Sequence, residues 1–220
     1  MNGTVPFCDK SAVLITGSSQ SGKTQLLRDI LVNYQSMFQT TPTICLFLYT
    51  HWQDLYNDIK QKWGNKILFT QRIPDEDEVE CVMNGHKHGI FVADDKGESI
   101  EKVPFFRNLL SRLGHHCRMT SFCLLQDANL SSRSSSLLKK NFHVTIVLRS
   151  PRERSFVRSI AMQTGDYRCL MEAYDDAVKQ KYGYLCIDLH PAADPQFKYR
   201  TNIIPTPDSP CVIYKPKSDK

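Results

Sequence analysis

The chain has 220 residues, 41% of them hydrophobic and 23% charged, with a formal net charge of +5; this is ordinary for a soluble globular protein and permits an anionic partner without demanding one. Its apolar runs are strand-sized, which excludes a transmembrane helix. No secretory signal is expected at the start, where Gly3 also stands one place too late for N-myristoylation.

In chain order, residues 1–11 read as a strap into Ala12-Val13-Leu14-Ile15-Thr16, an apolar, β-branched run expected of a buried strand. Gly17-Ser18-Ser19-Gln20-Ser21-Gly22-Lys23-Thr24 follows and fits the phosphate-loop pattern G-x-x-x-x-G-K-[ST] without mismatch. Thr24 to Gln35 then carries Leu26, Leu27, Ile30 and Leu31 at helical spacing. Strand, glycine loop and helix are what a polyphosphate needs. The glycines let backbone N–H groups turn inward, and the helix adds its positive end. Gly17 to Gln25 form the expected nucleotide cradle, with Lys23 reaching the β- and γ-phosphates of ATP and the Thr24 hydroxyl a ligand for Mg²⁺.

Gln39 to Pro42 reads as a turn and Thr43 to Tyr49 as a second buried strand. Trp52 to Lys62 is a short helix carrying Leu55, Tyr56 and Ile59, Ile67 to Phe69 a small strand, and Asp75-Glu76-Asp77-Glu78 the acidic first turn of another helix. His88-Gly89-Ile90-Phe91-Val92-Ala93-Asp94-Asp95 has four apolar residues ending in two acids, the Walker B pattern. Asp94 is placed at the strand's C-terminal edge, where it can hold the water shell of Mg²⁺. Asp95 stands where many ATPases place a glutamate that orients the attacking water.

Val103 to Leu113 reads as a helix, and Ser121 to Gln126 as a buried strand ending in a polar residue. Gln126 would share the edge where Asp94 emerges, where doubly wound sheets bind ligands. There it can bond both a γ-phosphate and a water. Asn129 to Lys140 is polar and carries Arg133, Lys139 and Lys140. Phe142 to Leu148 is the next strand, Pro151 starts a helix, residues 166–180 are helical and Tyr184 to Leu189 is a late strand. Tyr199 to Ile204 and Cys211 to Tyr214 suggest a terminal hairpin.

The eight cysteines include no C-x-x-C pair and read as reduced, buried thiols of a cytosolic or nuclear protein. His115, His116 and Cys117 with Cys123, or His86 with His88, match no common zinc spacing. The expected fold is α/β: a P-loop NTPase of RecA-like type, with a mostly parallel sheet flanked by helices and a small C-terminal hairpin. One domain is expected over residues 1–220, with its core at about 10–190 and an extension at about 191–220.

Beyond these generic motifs, three stretches carry a likeness. His115-His116-Cys117-Arg118 leads into the strand ending at Gln126. Asn141-Phe142-His143 is followed by Leu148-Arg149-Ser150-Pro151-Arg152-Glu153. Tyr182 to Leu189 has Tyr199-Arg200-Thr201-Asn202-Ile203 behind it. The chain thereby resembles the FtsK–HerA superfamily of DNA-translocating ATPases over roughly its whole length. Within it, the chain is most similar to the genome-packaging ATPases of double-jelly-roll DNA viruses and Polinton or adintovirus-like elements, relatives of the poxvirus packaging ATPase. It departs from them in having Asp127 after Gln126, Ser136 where an arginine is frequent, and Asp95 in place of a glutamate. The resemblance implies an ATPase acting as a homo-oligomeric ring that drives double-stranded DNA into a preformed capsid. Gln126 would be its γ-phosphate sensor, and Arg118, Arg149 or Arg152 an arginine acting on the neighbouring subunit's nucleotide. It also implies a capsid-vertex partner, a place inside an infected cell or virion, and no membrane. Two other classes stay open: a small nucleoside or nucleotide kinase, and a nucleotide-binding structural module without turnover.

Overall fold

The computed structural model describes residues 3–94, 100, 104–128 and 141–216. Nine strands form one sheet: β1 (Ala12–Thr16), β2 (Ile44–Leu48), β3 (Ile67–Thr70), β4 (Gly89–Ala93), β5 (Met119–Leu125), β6 (Val144–Leu148), β7 (Tyr184–Asp188), β8 (Tyr199–Thr201) and β9 (Val212–Tyr214), in the order β3-β2-β4-β5-β1-β6-β7-β8-β9. The first six in that order are mutually parallel, and β7, β8 and β9 continue the sheet antiparallel.

The unbroken apolar runs exist because both faces of the sheet are covered. Side chains alternate along each strand, so Val13 and Ile15 enter one core while Ala12 and Leu14 enter the other. Ile90 and Val92 part from Phe91 and Ala93 in the same way, as do Phe122 and Leu124 from Cys123 and Leu125. The first core is closed by α1 (Lys23–Val32), α2 (Tyr34–Met37) and α3 (Leu55–Trp63), and Leu26, Leu27, Ile30 and Leu31 of α1 are all buried there as their spacing predicts. The second is closed by α4 (Glu76–Met83), α5 (Pro104–Asn108), α6 (Glu153–Thr164) and α7 (Tyr167–Ala177). The acidic start of α4 forms a capping box, with the Asp75 carboxylate accepting from the Glu78 N–H and Glu78 accepting from the Asp75 N–H.

One helix departs from the expectation, and the direction of one late strand was left open by it. The helix expected at Val103 to Leu113 continues past Asn108 as a π-turn, Leu109–Leu113, and a last turn, Gly114–His116. Strand β7 runs against β6 because two helices, α6 and α7, join them. The first carries the chain down the sheet and the second carries it back, so β7 must start at the edge where β6 ends. The terminal hairpin is present, and it docks on β7 through a buried ion pair. Arg200, 1% exposed, donates to Asp188 at 3.0 Å and to the Phe197 carbonyl at 2.6 Å.

The cysteines are all free. Those at 45, 123 and 186 sit inside strands, where burial raises all three thiols and pushes Cys123 and Cys186 up to about 12. Cys81, on the outer face of α4, is exposed instead. No helix among the described residues is long and apolar enough to cross a membrane.

For the site, the position of β1 matters most. Its neighbours are β5 and β6, and the chain leaves it toward β2, β3, β4 and β5 before crossing to β6. A crevice opens where the winding reverses, at the C-terminal ends of the parallel strands.

Candidate functional site

The loop between β1 and α1 fills that crevice. Gly22 ends it in a left-handed conformation (φ 101°) as the N-cap of α1, with no side chain capping the helix and no acid in its first turn. The first N–H groups of α1 therefore keep their positive potential for an outside anion. The Lys23 ammonium folds over the loop and donates to the carbonyls of Gly17 (2.7 Å) and Ser18 (3.0 Å). The buried Ser21 hydroxyl has no hydrogen-bond partner among the described residues. A helix end without an acidic side chain in its first turn, an ammonium folded over the loop and an orphaned hydroxyl are features a bound polyphosphate would satisfy.

A cleft of about 660 Å³ opens on this loop and is also lined by Gln53, Asp94, Gln126, Leu148, Tyr182 and Tyr184. Asp94 is 3% exposed. It follows β4, where its N–H continues the ladder by donating to the Leu48 carbonyl at 2.9 Å. Its carboxylate accepts a 2.9 Å bond from the hydroxyl of fully buried Tyr56, which in turn accepts one of 3.2 Å from the Gln53 amide. Gln126 is exposed in the cleft immediately after β5. Beside it, the Gly17 N–H donates to the Leu125 carbonyl at 3.3 Å, which ties the start of the loop to the end of that strand. Thr24 and Asp94 open into the same cleft. One hydroxyl and one carboxylate, completed by phosphate oxygens and waters, suit Mg²⁺.

Glu153 joins these parts from behind. It has 0% exposure, and its Oε1 accepts both from the Thr16 hydroxyl, one residue before the loop, and from the Ala128 N–H, two residues after Gln126, each at 3.1 Å. Tyr56, Glu153 and Tyr182 were given no site role from the sequence. The signal for Glu153 was its place at the end of Pro151-Arg152-Glu153, and for Tyr56 only the helical spacing that marked it as core.

The candidate arginines divide between the sheet's two edges. Arg149 and Arg152 are exposed just past β6, on the cleft side. Arg118 is exposed before β5, with the seven-residue length of that strand, roughly 20 Å, between it and Gln126. It borders a second hollow of about 510 Å³ with His86, His116 and Cys117. Among the described residues, no three His, Cys, Asp or Glu side chains gather as metal ligands there or elsewhere. Asp95, Arg133, Ser136, Lys139 and Lys140 lie outside the described residues.

No protein-family model and no curated protein matches the chain. Solved structures do. The genome packaging NTPase B204 from Sulfolobus turreted icosahedral virus 2, in complex with ATP-γS, superimposes with a TM-score of 0.54 at 12% identity over 94% of this chain and 97% of that one. The same protein in complex with sulfate gives 0.50 at 12% identity over the same shares. The chain therefore has the P-loop NTPase fold, with a mostly parallel nine-stranded sheet between helices.

Proposed function

We propose that this chain is a Mg²⁺-dependent ATPase that translocates double-stranded DNA into a preformed viral capsid. The observation that carries the proposal is the convergence of the loop, Asp94 and Gln126 in one cleft, from three strand ends that only this winding brings together. The likeness to B204, a packaging NTPase, supports the choice of process.

In this reading the loop amides from Gly17 to Gln25 and the Lys23 ammonium hold the phosphates. Thr24 and Asp94 hold Mg²⁺, which would neutralise the charge that builds on the phosphoryl oxygens. Asp95 orients the attacking water. Gln126 senses the γ-phosphate, and Glu153, which touches both the base of the loop and the segment after Gln126, carries that change between them. A homo-oligomeric ring supplies the missing charge as an arginine from the neighbouring subunit. Arg149 and Arg152 fit that role better than Arg118, because they leave the sheet at the cleft edge. The chain acts as one ATPase domain inside the infected cell, with a capsid vertex protein as its dock. Arg133, Lys139 and Lys140 are the candidate contacts to DNA.

A motor must pass every sequence, so its grip is on phosphates and its affinity depends on counterion release. ATP turnover is therefore expected to rise with duplex DNA regardless of sequence. Because engaging several phosphates makes affinity steeply salt-dependent, the stimulation should be largely lost between about 50 and 200 mM salt. Steady-state turnover with two unrelated duplexes across that range is the test. Indifference to DNA at low salt, in a preparation shown to be oligomeric, would remove the translocase reading; phosphate transfer to an added nucleoside would put the kinase reading in its place.

A further inference from the structure

The order of strands gives the cleft a direction. Along the edge where the parallel strands end, the sequence of groups is Asp94 after β4, Gln126 after β5, the phosphate loop after β1, Leu148 at the end of β6, and Tyr182 and Tyr184 at the start of β7. The acid and the polar sensor lie on one side of the loop, and two aromatic rings on the other. A triphosphate whose terminal phosphate faces Asp94 and Gln126 must lead its nucleoside toward the tyrosines.

Tyr182 is held as a platform. Its backbone is left-handed (φ 63°), a conformation that disfavours a bulky side chain unless the surroundings impose it. They do so from both sides. The Gly183 N–H donates to the Gln180 carbonyl at 3.1 Å, and its carbonyl accepts from the Arg149 N–H at 3.0 Å. A Cβ at Gly183 would fall 2.3 Å from the Ala177 carbonyl oxygen, so only glycine lets the turn close this tightly. The ring that results stands beside the phosphate loop. A Cβ at Gly22 would meet its Cδ1 at 3.3 Å, yet the side chain is 55% exposed. Its hydroxyl has no hydrogen-bond partner among the described residues, and the Lys181 ammonium lies 4.9 Å from the ring centre. An aromatic fixed in a strained turn, wet, and in contact with the loop is built to be covered by something flat.

We infer that Tyr182 is the nucleobase platform of this cleft, stacking on the base of a nucleoside triphosphate whose phosphates occupy Gly17 to Thr24. The inference rests on reading the cleft as a nucleotide site, and it is independent of DNA, of turnover and of ring formation. Stacking on an aromatic tolerates any base, because every base has a π-face. Discrimination between ATP and GTP at this ring should accordingly be weak.

The experiment compares Mg·ATP with inorganic tripolyphosphate by calorimetry, in the absence of DNA, for the wild type, Tyr182→Ala and Tyr182→Phe. The wild type should bind ATP more tightly than tripolyphosphate. Tyr182→Ala should lose about 10–100-fold for ATP and stay within about twofold for tripolyphosphate, while Tyr182→Phe retains both. Equal losses for the two probes would make Tyr182 a support of the loop and overturn the inference, as would an unchanged ATP affinity. A wild type that binds tripolyphosphate as tightly as ATP overturns it while leaving the phosphate site in place. A wild type that binds neither probe overturns the nucleotide reading itself.

Discussion

Lys23→Ala is expected to abolish ATP turnover, by at least about 10²–10³-fold, while the protein still folds. The reason is the different value of one ammonium in two states. Without nucleotide, Lys23 is only partly buried and bonds two carbonyls of its own loop, Gly17 and Ser18, which water can replace. Their loss costs on the order of 1 kcal/mol. With a triphosphate in place, the same group would face charge that grows toward the transition state. Turnover, far-ultraviolet circular dichroism and thermal melting on one preparation check both halves. Folded protein with wild-type turnover would remove Lys23 from the site.

The second large effect separates a ligand from the residue that aims it. Asp94→Asn removes the buried charge that would hold Mg²⁺, and should lower kcat/KM by about 10²-fold or more while raising the Mg²⁺ needed. Tyr56→Phe keeps that charge and removes the hydroxyl, and with it the 2.9 Å hydrogen bond that orients Asp94 and the 3.2 Å bond accepted from Gln53. Outer-shell partners of this kind change metal affinity by about 10–100-fold. The expected result is a Mg²⁺ requirement raised at least about tenfold, with kcat nearly restored at saturating Mg²⁺. Activity titrated against Mg²⁺ gives the answer. If Tyr56→Phe lowered the melting temperature and left the Mg²⁺ curve unmoved, Tyr56 would be a core residue and nothing more.

These two cases also mark how far the site was legible in the sequence. The loop and Asp94 could be found because their chemistry is written in consecutive residues. Gln126 could be placed because a strand of known length must deliver its last residue to the edge. Tyr56 was visible only as one apolar position of a helix. Its hydroxyl meets Asp94 because α3 packs on the sheet face beside β2, a contact that no local spacing encodes. Glu153 is hidden for a similar reason, since its partners Thr16 and Ala128 lie on either side of a long stretch of chain. The strands themselves were legible because continuous apolar runs bounded by polar turns leave few alternatives. The reversal of β7 was not, as its direction depends on whether one helix or two precede it. The same reversal brings Tyr182 to the cleft, a placement that its stretch of sequence did not reveal.

If hydrolysis in this cleft moves the protein along duplex DNA, as proposed, the motor should displace the third strand of a DNA triplex. A translocating ring strips the third strand only when ATP is hydrolysed, so release is expected with ATP at low salt and not with ATP-γS or with the Lys23→Ala protein. ATP turnover stimulated by duplex DNA with no release of the third strand would contradict the account, leaving a DNA-sensing ATPase in place of a motor.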